Sequence, residues 1–398
     1  MAKKKILYIS GSVGLGHIVR DLAIARELRR QIPEVKISWL AAHPASLLLK
    51  ESGEEILPEA DMYANDNIPA ENAAKGFHLN LMQYGSNAAN EWANNVNVFK
   101  QLTAKEQFDV IIGDETHEIT FALQKKYVLT KAPFVMIYDS VGCDSMTWNP
   151  IEKLQVYMWG RLWARSKLFS DEKNLGLFVG ELEDIPDKRF GFLLPNRREY
   201  AKTYYEFIGY IFPFDAEEYA DKARIREKLG YGEEPLVICS IGGTSIGKKL
   251  LELCGQAYPI IKKSVPGLRM VLVCGPRLSP ESLEVPEEVE VRGYVPALYE
   301  HFAAGDLAIV MGGGTSTLEL TALRRPFLYF PLEGHYEQQL HVAGRLAKHQ
   351  AGIKMVYSKT TPNSLAKQVI SNLGKEVNYA SIPTDGAQKA VQLIKKLL

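Results

Sequence analysis

Leu307-Ala-Ile-Val-Met311-Gly312-Gly313-Gly314-Thr315-Ser316-Thr317-Leu318-Glu319 is the stretch whose reading decides the fold. Five apolar residues run straight into three glycines, and Thr-Ser-Thr then opens a segment of helical pattern. A strand, a glycine loop and a helix start make an anion site. The glycines allow close backbone approach, while free N–H groups and the helix dipole face the ligand. A charge at such a terminus gains about 0.3–1 kcal/mol at a surface and up to ~2 kcal/mol when partly buried. Glu319 lies one turn into that helix, placed to accept from two ribose hydroxyls. The plainer alternative is a strand-to-helix turn with Thr315 or Ser316 as its N-cap.

The same strand-loop-helix plan recurs along the chain. Ile6–Ile9 reads as a strand and residues 11–16 as a tight loop. Residues 17–31 follow as a helix, with Ile18, Leu22, Ile24, Ala25 and Leu28 near helical spacing. Lys36–Ala42, Val110–Ile112 and Phe134–Tyr138 read as further strands of the first half. In the second half, Leu236–Ser240, Arg269–Cys274, Leu307–Met311 and Phe327–Phe330 do so. Strands alternating with helices imply parallel sheets covered on both faces. With 398 residues, two domains are expected. The division predicted is 1–208, a linker at 209–222 carrying Gly209 and Pro213, and 223–398.

Composition narrows the partners. Lys plus Arg equals Asp plus Glu, 47 each, so no bulk attraction to nucleic acid is expected. The four cysteines show no metal-ligand spacing and read as buried reduced thiols. The apolar run behind Lys3-Lys4-Lys5 is too short for a signal peptide, and no run is long enough to cross a membrane. A cytoplasmic protein is the expectation.

Two more loops carry chemistry. Gly242-Gly243-Thr244-Ser245 follows a strand and precedes Lys248 and Lys249, so Gly243 and Thr244 are candidates for a phosphate. Gly11-Ser-Val-Gly14-Leu-Gly16-His17 has the wrong spacing for a dinucleotide fingerprint. His17 stands at the loop-helix junction, where a neutral imidazole can take a proton from an acceptor hydroxyl, an effect worth about 10²–10⁴-fold. A polar helix start is its plainer reading. Asp-x-Asp and His-Glu-x-x-His are both missing from the chain. No metal and no cofactor are therefore expected, and leaving-group charge falls to helix N-termini and backbone donors.

The pattern Gly-Gly-x-Thr-Ser-Thr-x-Glu, then Arg325-Pro326, then Pro331 before Glu337-Gln338-Gln339 resembles the donor site of UDP-glycosyltransferases. More narrowly, it is similar to the peptidoglycan N-acetylglucosaminyltransferase family. The resemblance implies a GT-B architecture, two Rossmann-like doubly wound α/β domains facing a cleft. It implies that Gly313, Gly314, Thr315 and Ser316 contact a diphosphate, that Glu319 binds ribose, and that Glu337 and Gln338 bind sugar hydroxyls. The Asn-Ala usual after the glutamine reads His341-Val342 or Val342-Ala343 here, so Gln338 and Gln339 stay unranked. Val291-Arg-Gly-Tyr294-Val-Pro296 falls where the family contacts the nucleobase.

Gly14-x-Gly16-His17-x-x-Arg20-x-Leu22-Ala23-x-Ala25 resembles the first-domain segment of the same transferases and of related nucleotide-sugar hydrolases. There a histidine is the base, and an aspartate at a later strand end orients it. Asp114 is the first candidate here and Asp139 the second, with helix capping the plainer role for Asp114. The implied activity is inverting, metal-independent transfer from a nucleotide-sugar, a UDP-sugar by family, to a small-molecule, glycan or lipid-linked acceptor. Arg20 in place of proline keeps a nucleotide-sugar hydrolase open as an alternative. A catalytically silent nucleotide-sugar-binding module is the other. Residues 154–169 interleave aromatics and bases, which suits either peripheral contact with a membrane or packing onto the sheet with solvated bases.

Overall fold

The computed structural model of the chain describes residues 3–10 and 14–398. Gly11–Val13, the start of the loop expected after the first strand, lie outside the described residues. Two compact units emerge. The first comprises Met1–Ala73, Leu81–Pro213 and Pro383–Leu398; the second comprises Ala74–Asn80 and Phe214–Ile382.

The chain enters the first unit through β1 (Lys5–Ser10), β2 (Lys36–Leu40) and β3 (Glu55–Ile56). A short hairpin, β4 (Ala74–Lys75) and β5 (His78–Leu79), belongs to the second unit. The first sheet resumes with β6 (Val110–Asp114), β7 (Phe134–Tyr138), β8 (Leu175–Val179) and β9 (Tyr205–Gly209). Its order is β3-β2-β1-β6-β7-β8-β9, and every pairing is parallel. Unbroken apolar runs are what such strands need, because helices cover both faces. Ile6, Leu7, Tyr8 and Ile9 are accordingly all fully buried.

The second sheet holds β10 (Leu236–Ser240), β11 (Arg269–Val273), β12 (Glu290–Arg292), β13 (Leu307–Met311), β14 (Phe327–Phe330) and β15 (Ile353–Lys354). Its order, β12-β11-β10-β13-β14-β15, repeats the doubly wound plan, again all parallel. In each unit the chain starts mid-sheet, winds to one edge, then returns to the other side of its first strand. The connections diverge between β1 and β6, and between β10 and β13. Ligands of open α/β sheets bind at the carboxyl ends of strands at such switch points.

These units part from a division by chain order at two places. The helix Gly386–Ile394 packs on the first unit: Gly386 N–H donates to the Tyr210 carbonyl at 3.1 Å, and Ala390, Val391 and Ile394 are fully buried. The hairpin joins the second unit, its Leu79 N–H donating to the Glu333 carbonyl at 2.8 Å and Phe77 stacking 4.6 Å from Tyr357. All four cysteines are buried free thiols.

Candidate active site

In the first unit, β1 and β6 run side by side with Ser10 opposite Asp114. The helix after β1, α1 (Gly16–Gln31), therefore starts beside the carboxyl end of β6. Leu15 at its N-cap offers no side-chain cap, and its first turn has no acidic residue. Gly14 takes φ +85°, a left-handed backbone that suits glycine. Its N–H donates to the buried Asn67 side chain at 2.9 Å.

His17, in the first turn of α1, places Nδ1 2.9 Å from Asp114 Oδ1. Arg20, one turn later, donates through Nε to Asp114 Oδ2 at 2.6 Å and through Nη2 to Oδ1 at 2.5 Å. Its Nη1 donates to Asp139 Oδ2 at 2.7 Å. His17 Nε2 lies 4.0 Å from that same Asp139 oxygen. The sequence candidates His17, Asp114 and Asp139 thus meet in one cluster. Arg20, read there only as a marker of family branch, holds it together. The available signal was its spacing of three from His17 on one helix face.

Charge in this cluster is uneven. Burial works against the Asp114 carboxylate, but Arg20 and His17 overcome it and hold its pKa well below the ordinary range. Burial and the Arg20 charge work against imidazolium at His17, yet Asp114 and Asp139 outweigh them and raise its pKa. Asp21, behind them, accepts from the Tyr8 hydroxyl at 2.8 Å. Burial, then the Asp114 charge, drive its carboxyl well up, so it stays protonated while Asp114 is ionised. Glu115 takes a left-handed φ of 51°; it accepts from the Asp139 N–H at 2.9 Å and pairs with His117 Nε2 at 2.6 Å. Sequence reasoning had no means of finding that pair.

Helix α2 (Pro150–Ala164) belongs to the first unit, and the helix after β13 to the second. Helix α3 (Gly314–Ala322) has Gly313 as its N-cap residue, so neither Thr315 nor Ser316 takes the capping position that the plainer reading of the sequence gave them. No side chain caps it and its first turn carries no acid, so Gly314, Thr315 and Ser316 form a bare helix start. The glycines differ in their reasons. A Cβ on Gly312 would stand 2.7 Å from Pro331 Cα, whereas one on Gly313 meets nothing within 4 Å. Glu319 is nearly buried, and its side chain makes no hydrogen bond or ion pair with the described residues. Burial alone raises its pKa to about 8.

Gly243 and Thr244 sit in the loop after β10, the other strand of this switch point. Gly242 is held at φ +74°, and its carbonyl lies close against Gly275. Tyr294 stands two residues after β12, beyond the carboxyl end of the edge strand. Glu337 and Gln338 open a π-helical turn, Glu337–Val342, a feature common at functional sites. Gln338 accepts from the Leu332 N–H through Oε1 at 2.7 Å, while Gln339 Nε2 donates to the Pro331 carbonyl at 3.1 Å. Both glutamines therefore clasp the loop after β14. The first uses its oxygen and the second its amide nitrogen.

Helix α2 divides its aromatics between two roles. Trp163 is in the core, with Nε1 donating to the Tyr205 hydroxyl at 2.9 Å, and Trp159 closes on Gly85. Ile151, Leu154 and Met158 form an exposed stripe, flanked by exposed Trp148 and by Phe192 and Leu193 of a turn packed on Tyr157. In residues 124–131 and 148–168 there are seven lysines and arginines, against one acid, the buried Glu152. No helix among the described residues is long and apolar enough to cross a membrane.

Residues 237–398 match the family model of the glycosyltransferase family 28 C-terminal domain. An uncharacterized glycosyltransferase of Methanosarcina acetivorans is 26% identical over 390 residues, covering 94% of this chain and 91% of its own. The UDP-N-acetylglucosamine--N-acetylmuramyl-(pentapeptide) pyrophosphoryl-undecaprenol N-acetylglucosamine transferase of Carboxydothermus hydrogenoformans is 29% identical over 142 residues, 34% of this chain and 37% of its own. Among solved structures, the spinosyn rhamnosyltransferase SpnG complexed with thymidine diphosphate superposes with a TM-score of 0.56 at 16% identity, covering 99% of this chain and 96% of its own.

Proposed function

The chain is a glycosyltransferase of the GT-B fold, and on that premise we propose that it transfers a sugar from a UDP-sugar to an acceptor hydroxyl, with inversion and without a metal. Glu319 is the observation that carries this reading. A nearly buried carboxyl with no partner among the described residues, one turn into a helix with a bare glycine start, suits a ribose whose diphosphate rests on Gly313–Ser316.

His17 acts as the base. With Nδ1–H directed at Asp114, Nε2 takes the proton of the acceptor hydroxyl. The freed oxygen attacks the anomeric carbon. The bond from that carbon to the diphosphate oxygen breaks, and its electron pair leaves with the nucleoside diphosphate. Bare N–H groups at the start of α3 then face the new charge, with Gly243 and Thr244 assigned to the same diphosphate. Tyr294 is assigned to the nucleobase, and Glu337 and Gln338 to the sugar hydroxyls.

A lipid-linked acceptor is the fitting class, as the pyrophosphoryl-undecaprenol in the name of the Carboxydothermus relative suggests. The exposed Ile151-Leu154-Met158 stripe, with the seven bases of residues 124–131 and 148–168, supports contact with an anionic membrane surface. Flotation with phosphatidylglycerol vesicles, lost in an Ile151→Ser/Leu154→Ser/Met158→Ser variant of unchanged melting temperature, is the expected result. Equal flotation of both proteins would remove the membrane reading.

The donor claim is tested by a thermal-shift panel of uridine and thymidine nucleotides and their sugars. A ligand at about 100 times its Kd stabilises the fold by ~2.7 kcal/mol. Response to thymidine nucleotides alone would reassign the base, and silence to both would overturn the site. Arg20 favours a second reading, hydrolysis with water in place of the acceptor. Sugar released at full rate without acceptor would establish it.

A further inference from the structure

Arg20 has no part in the chemistry just described, yet it is the best-bonded side chain of the first unit's site. Its side chain is 7% exposed, and all three guanidinium nitrogens are engaged. Nε and Nη2 take both oxygens of Asp114, which therefore cannot turn about its terminal bond. Nη1 ties the same group to Asp139. One cation thus joins the carboxyl end of β6 to the residue after β7, and it does so from the helix that carries His17.

The orientation of His17 depends on this clamp. Nδ1 faces two groups at once, Asp114 Oδ1 at 2.9 Å and Arg20 Nη2 at 2.7 Å. Directed at the carboxylate, Nδ1 carries the proton and Nε2 keeps its lone pair. Accepting from Arg20, Nδ1 is bare and Nε2 carries the proton, which disarms the base. The Nη2 contact with Oδ1, at 2.5 Å, is the shorter of its two. One of the two Nη2 N–H groups serves that contact; with Nε on Oδ2 it fixes the ionised Oδ1 2.9 Å from Nδ1, as a charged acceptor for Nδ1–H.

We propose that Arg20 is a positioning residue, which clamps Asp114 and Asp139 so that His17 is held as the Nδ1–H tautomer with a bare Nε2. The catalytic consequence rests on the reading of His17 as the base. Among the described residues, the charged groups that act on the imidazole are Arg20 on α1, Asp114 on β6 and Asp139 after β7, with Asp21 and Tyr8 behind Asp114 and Glu115 bonded to the Asp139 N–H. Only Arg20 among them is a cation. Its removal leaves Asp114 and Asp139 unopposed, so imidazolium is favoured.

The experiment combines ¹⁵N NMR of the His17 ring with pH profiles of kcat/KM, on the full chain and its Arg20→Gln and Arg20→Lys variants. Wild type is expected to show neutral His17 protonated at Nδ1. In Arg20→Gln the tautomers mix, and the His17 midpoint and the acid limb of kcat/KM both rise by about one unit or more. The donor KM stays within about twofold while kcat falls about 10- to 100-fold. Arg20→Lys recovers the midpoint but not the tautomer, because a single ammonium cannot bond both Asp114 oxygens in a fork. A folded Arg20→Gln protein with wild-type tautomer and midpoint overturns the proposal, as does wild-type His17 protonated at Nε2, which needs no variant. Full activity in His17→Ala would remove the base reading instead, and the spectra would still decide what Arg20 does to His17.

Discussion

His17 Nδ1 stands 2.9 Å from Asp114 Oδ1, which joins the first turn of α1 to the last residue of β6. Parallel pairing of β1 with β6 makes that meeting unavoidable. With Ser10 level with Asp114, the helix that leaves β1 starts over the end of its neighbour. The second unit repeats the relation, with the Gly243 loop after β10 beside the Gly313 loop after β13. Backbone topology sets where both sites lie, and side chains set what each does.

Asp114→Asn is nearly isosteric and tests the dyad. The amide offers one oxygen where the carboxylate offered two, and Arg20 keeps only Asp139 as a full ionic partner. Half an ion pair lost from the interior costs about 3–5 kcal/mol, read as a lower urea midpoint. In steady-state assays kcat is expected to drop by about 10²–10⁴-fold, with nucleotide affinity unchanged. His17→Ala should lose as much activity and little stability. An Asp114→Asn protein of full activity would contradict the orienting role.

The pH dependence has a definite direction. Burial and Arg20 disfavour the His17 imidazolium, but the two carboxylates win and its pKa lies above the ordinary 6.5. A base must be neutral, so kcat/KM should fall toward acid with its limb above pH 6.5. Stability runs the other way. The folded pKa is raised, so the His17 contribution is full below the unfolded value and is lost as pH rises through the folded one. For Asp114, whose pKa is depressed, the contribution is present above the unfolded value and disappears as pH falls through the folded one. Kinetic and urea profiles over pH 5 to 9 check the first two statements, and acid unfolding the third.

Much of this was legible in the sequence where local chemistry dictates backbone. Apolar runs ending in glycine marked β1, β10 and β13, and Gly312 is a glycine because Pro331 leaves no room for a Cβ. His17 and Glu319 were legible by position, one at a helix start and the other one turn in. What escaped depends on distant partners. The apolar spacing of Ala390, Val391 and Ile394 marks a buried face without saying that Tyr210 lies across it. The hairpin at 74–80 gave no sign of Glu333, 254 positions beyond Leu79. Gln338 and Gln339 read alike until their bonds to Leu332 and Pro331 separated them.

Two neighbouring glycines separate folding from binding. Gly312→Ala forces a Cβ to 2.7 Å from Pro331 Cα, and overpacking of this kind costs about 1–3 kcal/mol. Its melting temperature should fall. Gly313→Ala has open space around the new methyl and an extended backbone, φ −68° and ψ 138°, that alanine adopts freely. Its melting temperature should hold. The methyl would stand over the bare helix start, so nucleotide affinity is expected to weaken about tenfold or more, a loss of ~1.4 kcal/mol. Calorimetric titration with the responding nucleotide measures it. Unchanged affinity in Gly313→Ala would remove the diphosphate from that loop.

Glu319→Gln turns the same question on the ribose. Burial raises the Glu319 pKa to about 8, and no cation or hydrogen bond from the described residues offsets it. The folded state therefore holds a proton that the unfolded state gives up near the ordinary carboxyl range. Wild-type stability should then decline from about pH 4.5 to about pH 8 and level off above. Glutamine has no such charge to bury. The variant should melt higher than wild type at pH 9, with the gap closing toward pH 5. Binding moves oppositely: a carboxylate accepts from two ribose hydroxyls, and an amide oxygen replaces only part of that. A variant more stable yet weaker for nucleotide is the mark of a group kept for its ligand; higher stability with undiminished affinity would make Glu319 a buried acid without a role in the donor site.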